Sequence, residues 1–435
     1  MLETLPANEW TLEAAAHLLN RAAFGGTPRD IQLLYKMGHK AAIKKLLDPL
    51  DTNDTFSELT KELIDLKRKV ESKQDKKRFA KTGMQKVKTS WLAGMHNHTF
   101  SAREKLVLFW FGSHLPVYVR NNPIAYCSYI CCLKDFALGE YNKMLKGVYR
   151  QPAMRKYLTL DKNLADNPNE NFARELMELF TIGEGNYTEE DVRQVARAFT
   201  GNLDGTKHDN GIKTLLNQTG NFSGDDVIDI LTSMTQCSKL VSSKLWKFYV
   251  GKAADDQTAN TLAYIYKSNN MNTSNLLEQI FMSREFYNIK YRRIIIKSPV
   301  EWAIQLVKSL EMDINSNQNV CDIISKLGQE LSEPPNVKGW PGGKNWITAS
   351  SLFDRCNYSQ KFVDNAADIT INKIFPSKTS PELVCNIISA RFFQSPPNSK
   401  LRNKLLDVLR RTTDDVSSKK EFIRLIVSTT EYQLT

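Results

Sequence analysis

The sequence predicts an all-α protein, a multi-helix bundle with a duplicated helical unit in its C-terminal part. Apolar residues recur at helical spacing along most of the 435 residues, and no period-two pattern extends beyond one short segment. Capping residues and glycines divide the chain into pieces of helix length. The hydrophobic fraction of 41% and the charged fraction of 25% are typical of a globular protein.

A chain of this length normally forms two or three domains. We place an N-terminal helical domain at residues 1–236 and a C-terminal helical region at 237–435. The sequence contains no run of eighteen apolar residues, so no transmembrane helix is expected. The N-terminus lacks the pattern of a secretory signal, which makes the cytoplasm the default location and leaves a periplasmic or exported location as the alternative.

Seven cysteines, scattered and odd in number, indicate reduced thiols rather than a disulfide framework. Cys127 and Cys131 share a helix face, so they are either core residues or a pair of soft-metal ligands.

The net charge of +11 is concentrated in residues 61–88, which hold eleven basic and four acidic residues. This stretch is predicted as a solvated helix between packed elements, with contact to nucleic acid or another polyanion as the alternative. Phe79 is its only aromatic residue, so it lacks the interleaved rings of a single-strand binder.

The first long helix is predicted over residues 9–22, with Thr11 as its cap. His17 on this helix is either a hydrogen-bonded core histidine or a metal ligand. Thr27 and Pro28 begin the next helix. Further along, Ser101 and Glu104 form the pattern of a capping box before a heavily apolar helix that ends near His114.

Residues 167–201 carry the clearest helix-capping and periodicity signals of the chain and are predicted as a charged helical hairpin. Its first helix, capped by Asn167 or Asn169, should place Glu170, Arg174 and Glu178 in an acid–base–acid ladder at i, i+4 and i+8. Its second helix begins at Thr188, with Asp191 in a capping-box position.

The loop at residues 202–222 follows this hairpin and is rich in glycine, asparagine and aspartate. Loops carry binding and catalytic residues more often than helices do, so His208 and Asp209 are candidate site residues.

The C-terminal region contains an approximate repeat, residues 240–287 and 383–433, in which helix, polar loop and two helices follow in the same order. Between these segments, Ser298 and Pro299 begin a helix. A Trp- and Gly-rich turn at 334–357, centred on Trp340, either lines a pocket or plugs an edge of the core.

Six motifs resemble, in the same order, those of a large bacterial family of unknown function, DUF1800. The similarity extends from Trp10 to the last helix. The motifs are AAHLLNRAAFGGTPRDI, REKLVLFWFGSHL, PNENFARELMELFTIG, YTEEDVRQVARAFTG, HDNGIKTLLN and PPNVKGWPGGKNWI. The resemblance implies no accepted activity. Family members are often encoded beside an exported alkaline-phosphatase-like protein, which implies a protein partner.

Two positions depart from the family pattern. The family helix usually reads Phe-Trp-His-Asn-His-Phe, and alignment on His114 puts Gly112 at the place of the first histidine. The tryptophan that often follows the Thr-Gly of the hairpin is Asn202 here. If the His-x-His pair binds a metal in the family, this chain lacks one ligand.

Three functions follow from these patterns as hypotheses. The first is a metal-dependent enzyme with one divalent iron, manganese or zinc ion, because histidine with carboxylate suits these metals in helical bundles. The second is a non-catalytic helical scaffold that binds a protein partner, and the third is polyanion binding through residues 61–88. For the enzyme, the candidate metal ligands are His17, His114, His208 and Asp209, and the candidate catalytic residues are Glu175, Glu178 and Arg174.

Overall fold

The fold was analysed in a computed structural model that describes residues 2–48, 55–201, 206–315, 319–375, 379–393 and 396–435. Helices dominate these residues, which confirms the predicted all-α class. The N-terminal part contains α1 (Leu12–Ala22), α2 (Pro28–Met37), α3 (His39–Leu46), α4 (Thr55–Arg68), α5 (Lys73–Asn97), α6 (Arg103–Phe109), α7 (Pro123–Phe136), α8 (Tyr141–Tyr149), α9 (Pro152–Tyr157), α10 (Asn171–Glu175), α11 (Glu189–Ala198) and α12 (Gly224–Ser233). The C-terminal part contains α13 (Thr235–Val250), α14 (Asp256–Ser268), α15 (Thr273–Met282), α16 (Pro299–Ser309), α17 (Val320–Lys326), α18 (Ala349–Asn365), α19 (Asp368–Ile374), α20 (Pro381–Ile388), α21 (Ser399–Leu409) and α22 (Val416–Val427).

Shorter elements connect these helices. Three segments are π-helical and are named π1 (Trp110–His114), π2 (Leu176–Thr181) and π3 (Ser389–Phe393). The antiparallel strands β1 (Lys213–Leu215) and β2 (Gln218–Gly220) form a hairpin inside the predicted loop 202–222. Residues 202–205 of that loop, including Asn202, lie outside the described residues. The 3-10 turns are Ala7–Glu9, Leu160–Lys162, Arg284–Tyr287, Ile289–Tyr291, Gly343–Trp346 and Glu431–Gln433.

Local capping chemistry fixes several predicted helix starts. Thr11 accepts a hydrogen bond from Ala14 N at the start of α1. Reciprocal capping boxes form between Thr188 and Asp191 and between Ser298 and Glu301. Each box satisfies two of the backbone N–H groups that a helix N-terminus leaves without intrahelical partners.

The capping box predicted from Ser101 and Glu104 does not form. The N-cap of α6 is Ala102, which makes no side-chain cap bond, and Ser101 Oγ accepts from Arg103 N instead. Glu104 turns into the core, where Lys134 Nζ donates to its Oε1 over 2.6 Å. A buried partner on another helix therefore replaces the local cap.

The basic stretch 61–88 consists of two helices rather than one. α4 ends at Arg68, and a capping box between Ser72 and Asp75 starts α5. Residues 71–78 are exposed, as predicted for a solvated segment. Contact of this surface with a polyanion stays a prediction.

The core is built around three helices. α7 packs against α4, α5, α6, α8 and α9, α13 packs against α14 and α1, and α16 packs against α5, α17 and α18. One hydrophobic cluster extends from Leu5 to Tyr432 and includes the fully buried Trp110 and Trp302. Hydrogen bonds from Arg21 to the main-chain oxygens of Tyr249 and Tyr291 also join the two sides of the predicted boundary at 236/237. The division into two domains stays a prediction.

The two halves of the predicted repeat each contain three helices and a final 3-10 turn, but only the second half contains a π-helical segment. Residues 240–287 contain most of α13, then α14, α15 and a 3-10 turn, whereas 383–433 contain most of α20, then π3, α21, α22 and a 3-10 turn. This correspondence does not establish a duplication, which stays a prediction.

Two further expectations concern membranes and cysteines. Within the described ranges, no helix combines the length and apolar character needed to cross a membrane. No disulfide joins the seven cysteines there.

Candidate functional site

The structure does not bring the four predicted metal ligands together. His17 and His114 stand at opposite ends of a row of touching aromatic rings, and five rings lie between them. Successive ring centroids in this row are 4.9 to 6.0 Å apart. The row runs His114, Phe109, Phe248, Tyr249, Phe281, Phe286 and His17.

His208 and Asp209 fasten the loop after α11 instead of meeting these histidines. His208 Nδ1 lies 3.0 Å from the main-chain oxygen of Thr200. Arg197 donates to both carboxylate oxygens of Asp209 and holds the pKa of this carboxyl below its usual value. Among the residues that the structure describes, no group of three or more His, Cys, Asp or Glu side chains is arranged to hold a metal ion.

The predicted charge ladder on the hairpin is formed only in part. Arg174 donates to Glu170, as predicted, and makes two bonds to Glu189 on α11. The helix changes to π geometry at Leu176, and a π turn takes more residues than an α turn, so Glu178 leaves the i+4 register. Burial, followed by repulsion from Glu178, raises the pKa of Glu175.

His114 lies in a buried chain of hydrogen bonds with Tyr141 and Lys244. The Tyr141 hydroxyl donates to the main-chain oxygen of Phe180 over 2.6 Å, and His114 Nε2 lies 2.7 Å from the same hydroxyl oxygen. Since that hydroxyl has only one hydrogen, Nε2 of His114 must be the donor to it. Nδ1 is therefore the acceptor for Lys244 Nζ, 3.1 Å away.

Two π-helical segments supply this network, which we name the Lys–His–Tyr cluster (Lys244, His114 and Tyr141). His114 ends π1, and π2 provides the main-chain oxygens of Leu179 and Phe180. Lys244 Nζ donates to the Leu179 oxygen over 2.8 Å. π-Helical turns are rare and occur frequently at functional sites. Their meeting at one cluster marks this place as a candidate site.

Lys244 links the cluster to the surface. It lines an open groove of about 700 Å³ between α13 and the turn that follows π2, together with Gly183, Asn186, Lys239 and Lys247. Burial lowers the pKa of the Lys244 ammonium to about 8. A larger fraction of this amine is therefore neutral near neutral pH than of an ordinary lysine, whose pKa is about 10.4.

Burial also keeps both histidines uncharged. It lowers the pKa of His114 well below 6.5, with a further contribution from Lys244, and lowers that of His17 with help from Arg21 and Arg292. In the unfolded chain a histidine takes up its proton near pH 6.5, so below that pH the unfolded state binds more protons.

We therefore expect the free energy of unfolding to fall as the pH falls from 7 to 5.5. Each of the two histidines contributes up to about 1.4 kcal/mol per pH unit to this slope. His114→Gln should remove its share of the slope, which urea unfolding at several pH values measures. An unchanged slope in both His114→Gln and His17→Gln would contradict the assignment.

Gly112 adjoins this cluster, two residues before His114. A Cβ atom at Gly112 would lie 2.7 Å from two ring carbons of Trp340, and Trp340 N donates to the Gly112 oxygen over 2.8 Å. The Trp340 ring is 8% exposed and packs on Phe111 with 5.9 Å between ring centroids. Trp340 of the Trp- and Gly-rich turn therefore fills the space beside Gly112 in the core.

Lys244 and Tyr141 were not among the candidates drawn from the sequence. A signal for Lys244 exists, because it stands three residues after Val241 and four before Phe248, on the apolar stripe of α13. A charged residue at such a position must find a buried partner. Tyr141 gives no comparable signal.

Comparison with known proteins identifies the family. Neither the curated proteins nor the solved structures include a match to this chain. The family model described as "Protein of unknown function (DUF1800)" matches residues 17–434, nearly the whole length. The chain therefore belongs to the DUF1800 family of proteins of unknown function.

Proposed function

We propose that this protein is an enzyme whose nucleophile is the Lys244 amine and whose substrate is a carbonyl compound bound in the groove between α13 and the turn that follows π2. The observation that carries the proposal is the placement of Lys244, which contacts His114 on its inner side and lines the groove on its outer side. Lysines held in poorly solvated places serve as nucleophiles toward carbonyl groups because their neutral form is accessible.

The reaction would form an imine. The lone pair of Lys244 Nζ attacks the carbonyl carbon, and the carbonyl electron pair moves to its oxygen. One amine proton passes to the oxygen through His114 Nδ1, which lies 3.1 Å from Nζ. Loss of water, with the second amine proton, then leaves a carbon–nitrogen double bond. His114 is the base and acid of this transfer.

Tyr141 and the carbonyls of π2 have positioning roles in this proposal. Tyr141 accepts from Nε2 and so keeps Nδ1 free of its own proton and directed at Lys244. The Leu179 oxygen holds the amine in place. Lys239 and Lys247 outnumber the single acidic residue of the groove, Glu184, which favours a substrate that also carries a negative charge.

The proposal retains His114 from the predicted site and does not depend on His17, His208 or Asp209. The role of Glu175, Glu178 and Arg174 in catalysis remains a separate proposal. The alternative function is a helical scaffold, in which Lys244 serves only to tie α13 to the carbonyl end of π2.

Reductive trapping tests the amine. The full chain is treated at pH 8 with glyoxylate, an aldehyde that carries a carboxylate, and cyanoborohydride, and modified lysines are located by peptide mass spectrometry. We expect Lys244 to be labelled at least about tenfold faster than an ordinary lysine, because far more of it is neutral at this pH. Lys247, exposed in the same groove, is the matched control in the same sample.

The variants separate the two functions. His114→Gln should slow labelling of Lys244 and leave Lys247 unchanged, whereas Lys247→Arg should leave Lys244 unchanged. If Lys244 is labelled no faster than Lys247, the enzyme proposal fails and the scaffold alternative gains support.

A further inference from the structure

A second pocket lies between α1, α16 and the segment after the Ile289–Tyr291 turn. Its enclosed volume is about 30 Å³, and the pocket is partly open to solvent. Four of its lining side chains are basic types, and a single one is a carboxylate. The basic residues are His17, Arg292, Arg293 and Lys297, and the acidic residue is Glu13.

Lys297 is the unusual member of this lining. It is 3% exposed, and its ammonium stands 4.1 Å from the centroid of the Tyr432 ring. It forms no ion pair with an acidic side chain of the described residues. Buried ammonium groups are normally paired, since removal from water without a partner is costly.

Glu301 is the nearby acid, and other groups already bind it. Lys105 donates to its Oε1, and the main-chain N of Ser298 donates to its Oε2. Burial lowers the pKa of Lys297 to about 7. Glu301 opposes this shift, and the charges of Arg355 and Arg293 add to it. Glu301 therefore does not serve as an ion-pair partner of Lys297, and the neighbouring guanidinium groups oppose the charge of this ammonium.

The arginines around the pocket also retain an unused donor. Arg21 gives its Nη groups to main-chain oxygens of Tyr249, Tyr291 and Thr435. In the described part of the chain, the buried Nε atoms of Arg21 and Arg292 have no hydrogen-bond partner. Arg292 lines the pocket, so its Nε is a donor that remains for a bound group there, whereas Arg21 lies outside the lining.

We propose that this pocket binds inorganic phosphate or the phosphate group of a small ester, with Lys297 and Arg292 as its charged partners. An ammonium beside a guanidinium is a common arrangement for phosphate oxygens. Glu13 selects phosphate over sulfate, because hydrogen phosphate has an O–H that donates to the carboxylate, whereas sulfate has only acceptors and is repelled. This site is independent of the Lys–His–Tyr cluster.

Calorimetric titration of the full chain with inorganic phosphate, and separately with sulfate, tests the site. We expect phosphate to bind and to raise the unfolding temperature, and sulfate to bind at least tenfold more weakly. Equal affinity for the two anions would overturn the role of Glu13. Absence of binding and of thermal stabilisation at phosphate concentrations up to about 10 mM would overturn the site.

Two variants distinguish the pocket from a general charge effect. Lys297→Met removes a buried unpaired charge, so it should fold at least as stably as the parent without phosphate and lose at least tenfold in phosphate affinity. Arg292→Gln should lose affinity similarly. Lys290→Met, an exposed lysine close in sequence and paired with Glu285, should keep it. Unchanged affinity in Lys297→Met would refute the proposal.

Discussion

Replacement of Gly112 by histidine, the residue that the motif resemblance leads us to expect there, should destabilise this protein strongly. Even the Cβ atom of an alanine would lie 2.7 Å from the Trp340 ring, and the neighbouring main-chain bond from Trp340 N to the Gly112 oxygen prevents the turn from moving away. Overpacking of this kind costs typically about 1–3 kcal/mol for a small added group. Gly112→Ala should fall in that range, and Gly112→His should cost more.

Urea unfolding of the two variants measures the effect, and Gly139→Ala is the control. A Cβ at Gly139 meets only a main-chain oxygen at 3.5 Å, which is an ordinary contact. Loss of stability in Gly139→Ala equal to that in Gly112→Ala would show that glycine flexibility, rather than the Trp340 ring, sets the cost.

A double-mutant cycle identifies Trp340 as the cause. Trp340→Ala alone should destabilise by about 3–5 kcal/mol, because it leaves a cavity beside Phe111. In the Trp340→Ala background, Gly112→His should cost much less than in the parent, since the new ring enters that cavity. Additive costs would contradict direct packing of the two positions.

Gly112 also illustrates what a sequence can and cannot predict. The motif comparison identified Gly112 as a departure, but the ring that fills its place comes from residue 340, and no local rule connects the two. The starts of α11 and α16 were predicted correctly because Thr188–Asp191 and Ser298–Glu301 act over three residues. Local chemistry alone decides such positions.

The candidate site could not be predicted from the sequence, because residue spacing does not show which distant side chains meet in the fold. His114 was identified from its motif, but its partner Lys244 lies 130 residues away. Glu178 was placed on the wrong register because the ladder assumed α geometry through residue 178, and the chain is π-helical there. The same π geometry brings the carbonyls of Leu179 and Phe180 to the cluster, so the failed prediction and the site have one cause.

Loss of either partner of the Glu104–Lys134 pair is expected to have the second large effect. The two side chains are 1% and 3% exposed and join α6 to α7. Lys134 Nζ also stands 4.1 Å from the centroid of the Phe56 ring. Removal of one member of a buried ion pair leaves an uncompensated charge and costs about 3–5 kcal/mol. We expect Glu104→Leu and Lys134→Met each to show this loss in urea unfolding.

The double variant shows whether the loss in the single variants comes from the unpaired charge that each of them leaves buried. Glu104→Leu with Lys134→Met removes both charges and should be far more stable than the sum of the single losses predicts, because apolar side chains replace buried ion pairs at little cost. Arg68→Ala breaks an exposed pair with Asp65 and should change stability by less than about 1 kcal/mol. If Glu104→Leu or Lys134→Met lowers the free energy of unfolding by as little as Arg68→Ala does, the charge that remains must be solvated, which would contradict this prediction.

Variants of Ser101 and Glu104 distinguish two explanations of the start of α6, a local capping box and the long-range contact of Glu104 with Lys134. If Ser101 and Glu104 acted as a capping box, Ser101→Ala and Glu104→Gln would both cost about 1 kcal/mol, the typical loss of a cap. In the structure, Glu104 binds Lys134 and Ser101 Oγ accepts only a 3.3 Å bond from Arg103 N. Ser101→Ala should therefore cost little, whereas Glu104→Gln should cost several times more, because the neutral amide leaves the Lys134 charge buried without its counterion.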